Sequence, residues 1–140
     1  MFTKILLPID LAEEKMTKYA ISYAEALAKA FEAEIRLVNV QSLTPIALLD
    51  YTPKDFDENI RRGLEIELAG IASGIDYAPE RISTTVLFGP VYQHILAEAE
   101  SWGSDVIVLC SHRPGMERFL IGSNASAIVR HATCPVLVLR

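Results

Sequence analysis

Between Val106 and Val129 the chain reads VIVLCSHRPGMERFLIGSNASAIV, an apolar strand running into a polar loop and then into Gly122-Ser123-Asn124, which opens a helix. That order of residue types suits an anionic oxygen ligand. The first N–H groups of a helix have no partner within it and sit at the positive end of its dipole, so they hold phosphate well. Gly122 has no Cβ to keep a phosphate off the backbone, and Ser123 adds a hydroxyl donor. Arg113 offers a rigid fork of donors for paired phosphate oxygens, on a loop stiffened by Pro114. The competing reading of Gly122-Ser123-Asn124 is a plain N-cap, because Ser and Asn cap helices anywhere. That of Arg113 is an ordinary solvated charge.

Two further polar positions have double readings. His112 can hydrogen-bond phosphate or move a proton, or it is a satisfied structural residue at a strand end. Asp10 can bind ribose hydroxyls or base nitrogens, or cap the helix that follows, since Asp10 with Glu13 resembles a capping box. His94 and His131 lie in separate helical segments without a spaced partner, so no zinc pattern is present. Neither GxxxxGK[ST] nor GxGxxG occurs, which excludes the standard P-loop and the dinucleotide fingerprint. GxSxG is missing too, so a hydrolase nucleophile elbow has no support. A thiol reaction at Cys110 beside His112 lacks a third, orienting group.

The elements that must position these residues follow from periodicity. Lys4 to Ile9 is a continuous apolar run, as in a strand covered on both faces, and Pro8 marks where its ladder stops. Met16, Tyr19, Ala20, Tyr23, Ala24, Leu27, Ala28 and Phe31 recur every three or four residues and predict a helix with one apolar face. Glu34 to Val40 predicts a second strand, and Asp55 to Ser73 a second helix through Phe56, Ile60, Leu64, Leu68 and Ile71. The segment from Gln41 to Lys54, with Pro45 and Pro53, is of the length that often covers a ligand. Ile82 to Phe88, Val91 to Trp102, Asp105 to Ser111, Gly122 to His131 and Pro135 to Leu139 complete the alternation. Five strands alternating with four helices predict an α/β domain, an open, mostly parallel sheet wrapped on both faces with right-handed crossovers. Ligands of such sheets sit beyond the carboxyl ends of the strands, where the strand order reverses.

Composition bounds the function. With 140 residues, 51% of them hydrophobic, the chain fits one domain with one core. Its net charge of -5, with 13 basic residues scattered among 18 acidic ones, argues against a nucleic-acid backbone as partner. Ile5 to Asp10 is too short an apolar run for a membrane span, which predicts a soluble, cytoplasmic protein with no membrane partner. Cys110 and Cys134 form no CxxC and are expected as reduced thiols.

Taken together, KILLPID, LVNV, FGPVYQHIL, DVIVLCSHRP and LIGSNASAIVRHATCPVLVLR, in this order over essentially the whole chain, resemble the universal stress protein family, nearest its bacterial F and G types. The resemblance implies a single domain over residues 1–140, with a Rossmann-like fold of the adenine nucleotide α-hydrolase type and a five-stranded parallel sheet of order 3-2-1-4-5. It implies ATP, with magnesium carried on the phosphates, as ligand. Pro8 and Asp10 would line the adenine and ribose side, and Val40 would present its backbone to adenine. Cys110, Ser111, His112 and Arg113 would border the phosphates with Gly122, Ser123 and Asn124. Nucleotide-binding members show G-x2-G-x9-G-(S/T). Here only Gly122-Ser123 match, while Cys110 stands at the first glycine if one loop residue is deleted, and Arg113 or nothing at the second. Likeness to the F and G types implies ATP binding despite this departure. The resemblance also implies a homodimer through the edge strand Pro135 to Leu139, with Val136 and Val138 near the twofold axis, and leaves open pairing into tetramers. The function so implied is a regulatory, ATP-binding dimer in stress response with slow or no hydrolysis or self-phosphorylation. The alternative is a nucleotide-free dimeric interaction module of the same fold.

Overall fold

Ile5, Leu6 and Leu7 are consecutive and all fully buried, so their strand is covered on both faces. The computed structural model describes residues 1–42, 56–111 and 122–140 and shows that cover. β1 (Lys4–Pro8) pairs in parallel with β2 (Glu34–Gln41) on one side and β4 (Val106–Cys110) on the other. β3 (Ile82–Phe88) lies outside β2 and β5 (Val136–Leu139) outside β4, which gives one parallel sheet of order 3-2-1-4-5.

Alternation along each strand divides the core in two. Ile5, Leu7, Ile35, Leu37, Val106 and Val108 face α1 (Glu14–Phe31) and α2 (Phe56–Ser73). Leu6, Val38, Ile107 and Leu109 face α3 (Val91–Trp102) and α4 (Ser123–His131). Each fully buried Leu or Ile in these layers contributes roughly 2 kcal/mol relative to exposure. The fold is therefore the doubly wrapped, Rossmann-like α/β sheet expected. No described helix is long and apolar enough to cross a membrane.

Several local expectations change in detail. The sheet-facing stripe of α1 is Thr17, Ala20, Ala24 and Ala28, whose small side chains let the helix lie close to the strands. Tyr19, Tyr23 and Phe31, expected on the same face, lie on its exposed flank. Tyr19 and Tyr23 meet edge to face at 5.2 Å, and Phe31 meets Phe2 at 5.3 Å. The capping box is absent: Glu13 is the N-cap and neither its side chain nor that of Asp10 caps the helix. Asp10 Oδ1 instead accepts the Ala12 N–H at 3.0 Å, closing a turn before the helix. A short 3-10 turn at Pro79–Arg81, not foreseen, leads into β3.

Two contacts lock the amino ends of the strands, opposite the polar ends. Asp105 accepts the Thr3 hydroxyl at 2.6 Å and the N–H groups of Thr3 and Lys4 at 2.7 and 3.1 Å. Trp102, at the end of α3, packs against the core and has Arg36 and Lys4 over its ring at 4.5 and 5.3 Å.

Candidate functional site

The carboxyl ends of β1, β2 and β4 and the amino end of α4 border one cleft of ≈ 510 Å³. Pro8 and Asp10 reach it from the end of β1, Val40 from β2, Cys110 and Ser111 from β4, and Gly122, Ser123 and Asn124 from α4. The cleft thus lies where the order turns from β1 to β4, the switch point of an open parallel sheet. His112 and Arg113 lie outside the described residues, as does most of the segment from Gln41 to Lys54.

The α4 end of the cleft is rich in donors. Gly122 is the N-cap, with φ -57° and ψ 154°, and among the described residues no side chain caps the helix. The first bond of the helix runs from Ser126 N to Gly122 O at 2.8 Å, so the N–H groups of Ser123, Asn124 and Ala125 precede its ladder. The plain N-cap reading therefore does not hold for the Ser and Asn side chains. A Cβ placed on Gly122 would meet none of the described residues within 4 Å, so their packing leaves open space there.

The α1 end has the opposite character. Asp10 and Glu13 line it, and the Asp10 carboxylate keeps an oxygen beyond the one that accepts from Ala12. The cleft is thus polarised, with carboxylates beside α1 and helix N–H groups at α4, and with Val38, Val40, Val91, Ile95 and Leu109 as an apolar wall on the α3 and α4 side of the sheet.

Cys110 and Ser111 lie between the two ends. The Cys110 Sγ is 3.7 Å from the Met16 carbonyl of α1, and burial pushes its thiol pKa up. At neutral pH it is a protonated thiol, poor as a nucleophile. Ser111 is buried, and its N–H and Oγ both donate to Leu139 O, at 3.0 and 3.3 Å.

Glu13, Met16, Thr17, Asn39 and Gln41 also line the cleft and are not among the site residues expected from the sequence. Asn39 is the informative omission. It is a polar residue within LVNV, only 3% exposed, donating through Nδ2 to Ile9 O at 2.9 Å and accepting from Gln41 Nε2 at 2.7 Å. A polar residue inside an otherwise apolar buried strand must find such partners, which was the signal available. Among the described residues no group of three or more His, Cys, Asp or Glu is placed to hold a metal.

Comparison with known proteins agrees with this architecture. Universal stress protein G of Salmonella typhimurium is 35% identical over 143 residues, covering all of both chains. The solved structure of a hypothetical protein, PH0823, superposes with a TM-score of 0.77 at 25% identity, covering 99% of this chain and 96% of that one. Two structures at lower identity share the fold. One is the universal stress protein from Archaeoglobus fulgidus in complex with dAMP, with TM-score 0.63, 16% identity, and 99% and 98% coverage. The other is a universal stress protein in complex with cAMP, with TM-score 0.71, 14% identity, and 99% and 97% coverage. The family model that matches residues 1–140 is that of the universal stress proteins. With its fold, its full-length relatives and this match in agreement, the chain belongs to the universal stress protein family.

Proposed function

We propose that the chain binds ATP in this cleft and acts in stress response as a regulatory nucleotide-binding dimer with slow or no hydrolysis. The observation that carries the reading is the polarity of the cleft. A nucleotide runs from a flat base through ribose hydroxyls to anionic oxygens, and the lining of the cleft offers apolar side chains for the base, carboxylates for hydroxyl donors and helix N–H groups for the phosphates. Complexes of family members with dAMP and with cAMP support an adenine nucleotide as the ligand class.

In this reading Pro8 and Asp10 line the adenosine side and Val40 presents its backbone to adenine. The amide groups and hydroxyls of Gly122, Ser123 and Asn124 take the phosphates. Cys110 and Ser111 border the phosphates and shape the wall, and His112 and Arg113 complete the phosphate side from residues beyond those described. Cys110, at the position of an expected glycine, lines the cleft with its sulfur 3.7 Å from Met16 O, and the cleft beside it remains open. Magnesium would be carried by phosphate oxygens and water, since the described carboxylates of the cleft stand at its α1 end. No described group at the phosphate end is a suitable base for attack on a γ-phosphate, which supports slow turnover or none.

A difference between the two sheet edges supports a dimer through β5. At β3, Arg61 donates to Val86 O at 3.0 Å and lies over the Phe88 ring at 4.6 Å, so its side chain occupies that edge. At β5, Val136 and Val138 direct their backbone groups away from the sheet. The test of the nucleotide reading is thermal melting with and without Mg-ATP. Ligand at about 100 times its dissociation constant stabilises by roughly 2.7 kcal/mol. No shift at millimolar ATP overturns it in favour of a nucleotide-free module.

A further inference from the structure

We propose that Gln41 reads the base of the bound nucleotide, and that a hydrogen-bond relay through Asn39 makes it select a 6-aminopurine over a 6-oxopurine. The inference rests on the nucleotide reading above and adds a specificity-determining residue to it.

The relay begins at a group whose polarity cannot change. The carbonyl of Ile9 only accepts, so the side-chain atom of Asn39 that meets it at 2.9 Å must be the amide nitrogen. That fixes which way the Asn39 amide points and puts its Oδ1 toward Gln41. An oxygen there requires a donor, so Gln41 presents its NH₂ group at 2.7 Å. The orientation of a free carboxamide is ambiguous and can turn over to suit its partner. Here turning either amide over would set oxygen against oxygen, or nitrogen against nitrogen, in a site where Asn39 is 3% exposed and cannot be rescued by water.

Gln41 lines the cleft one residue beyond Val40, on the strand assigned to the base. One of its N–H groups is used on Asn39, which leaves Oε1 and the second N–H for a ligand. That pair, held in one sense, complements the amino donor and adjacent ring-nitrogen acceptor of adenine. It opposes the oxo acceptor and N–H of guanine or hypoxanthine. The same carboxamide logic reads adenine in other recognition settings.

The experiment is calorimetric titration of the full chain with ATP and with ITP, which differ at the 6-position and in protonation of N1, repeated with Gln41→Met. Met keeps length and apolar bulk at a half-buried strand end and lacks the amide, and circular dichroism verifies its fold. The wild type is expected to bind ATP at least about tenfold tighter than ITP, because a site built to hydrogen-bond a group rejects the analogue that lacks it. In Gln41→Met the ratio is expected to fall to within about threefold, mainly through weaker ATP binding. Asn39→Ser, which breaks the relay and leaves Gln41 in place, is expected to reduce the ratio in the same direction. Equal affinity of the wild type for ATP and ITP, or a ratio unchanged in Gln41→Met, overturns the proposal and leaves nucleotide binding standing. Binding of neither nucleotide by the wild type overturns the nucleotide reading itself.

Discussion

Ser111, at the rim of the cleft, and Leu139, the last residue of the edge strand β5, are joined twice: the N–H and the hydroxyl of Ser111 both donate to the Leu139 carbonyl, at 3.0 and 3.3 Å. The hydroxyl is therefore committed to the sheet, while the Ser123 hydroxyl, at the first turn of α4, is not used as a cap. Ser111→Ala is expected to cost about 1 kcal/mol of stability, the usual net value of one hydrogen bond. It should change ATP affinity less than Ser123→Ala does. Urea denaturation and titration of both variants check this, and a larger ATP loss in Ser111→Ala would show that ligand recruits its hydroxyl away from Leu139.

Gly122 tests the phosphate end without disturbing the core. A Cβ there meets no atom of the described residues within 4 Å, and its φ of -57° is accessible to any residue. Gly122→Val is expected to leave the melting curve of the free protein nearly unchanged. ATP binding should fall by about tenfold or more, since one charge-assisted hydrogen bond carries roughly 1.5–3 kcal/mol. Undiminished ATP affinity would place the phosphates elsewhere.

Gly89 is held for a different reason. It joins β3 to α3 with φ 140°, and a Cβ on it would stand against His94 Cε1 and 2.8 Å from Nε2. The ring is kept there by a 2.9 Å contact of Nδ1 with Pro90 O. Gly89→Ala is expected to cost about 2 kcal/mol from backbone strain and displacement of the ring. Adding His94→Ala should recover the part due to the ring and not the part due to φ, as read from denaturation midpoints of the two variants. A Gly89→Ala protein as stable as wild type would show that the turn relaxes freely.

How far these features were legible in the sequence depends on the range of the forces behind them. KILL, LVNV and VIVLC read as strands because a strand buried on both faces needs apolar residues at every position. The order of the strands is a through-space property, and it came with the family resemblance. Periodicity marked α1 but overstated its buried face, because Tyr19 and Tyr23 satisfy the same spacing as Ala20 and Ala24 while lying at the edge of the stripe. Asp10 was recognisable as a polar residue at a strand end, but its turn with Ala12 competes with a helix cap for the same oxygen. The Asn39–Gln41 pair was not legible as a unit. Its anchor, the Ile9 carbonyl, is 30 residues away in the chain and becomes its neighbour only when β1 and β2 pair.

Asp105 sets a pH dependence. Partial burial raises its pKa, but the hydrogen bonds from the Thr3 hydroxyl and the Thr3 and Lys4 N–H groups outweigh this and lower it below the usual carboxylate value. A carboxyl whose folded pKa is lowered adds stability that is present above its unfolded pKa of about 3.9 and lost as pH falls through the folded value. The wild type is thus expected to lose stability as pH falls below about 4 more steeply than Asp105→Asn, whose neutral amide has no proton to gain. Parallel curves of unfolding free energy against pH for the two proteins would rule out this contribution.

The outward edge of β5 gives the last prediction. Ile107 N bonds to Pro135 O and Ser111 N to Leu139 O, so residues 135 and 139, and Leu137 between them, turn their backbone groups toward β4. Val136 and Val138 therefore turn theirs outward, where a second copy of the strand can pair with them. Leu137, 36% exposed, adds apolar surface beside that edge. Val138→Pro removes one outward N–H without touching a bond to β4, and proline is tolerated on an edge strand when its missing donor faces away from the sheet. Far-UV circular dichroism is expected to remain that of the wild type. Light scattering should fall from twice the chain mass to the 15.5 kDa of one chain. If the wild type itself scatters as a single chain at micromolar concentration, pairing through β5 is refuted. If Val138→Pro still scatters at twice the chain mass, the contact between copies is made by another surface, and the exposed flank of α1 with Tyr19 and Tyr23 is the next to mutate.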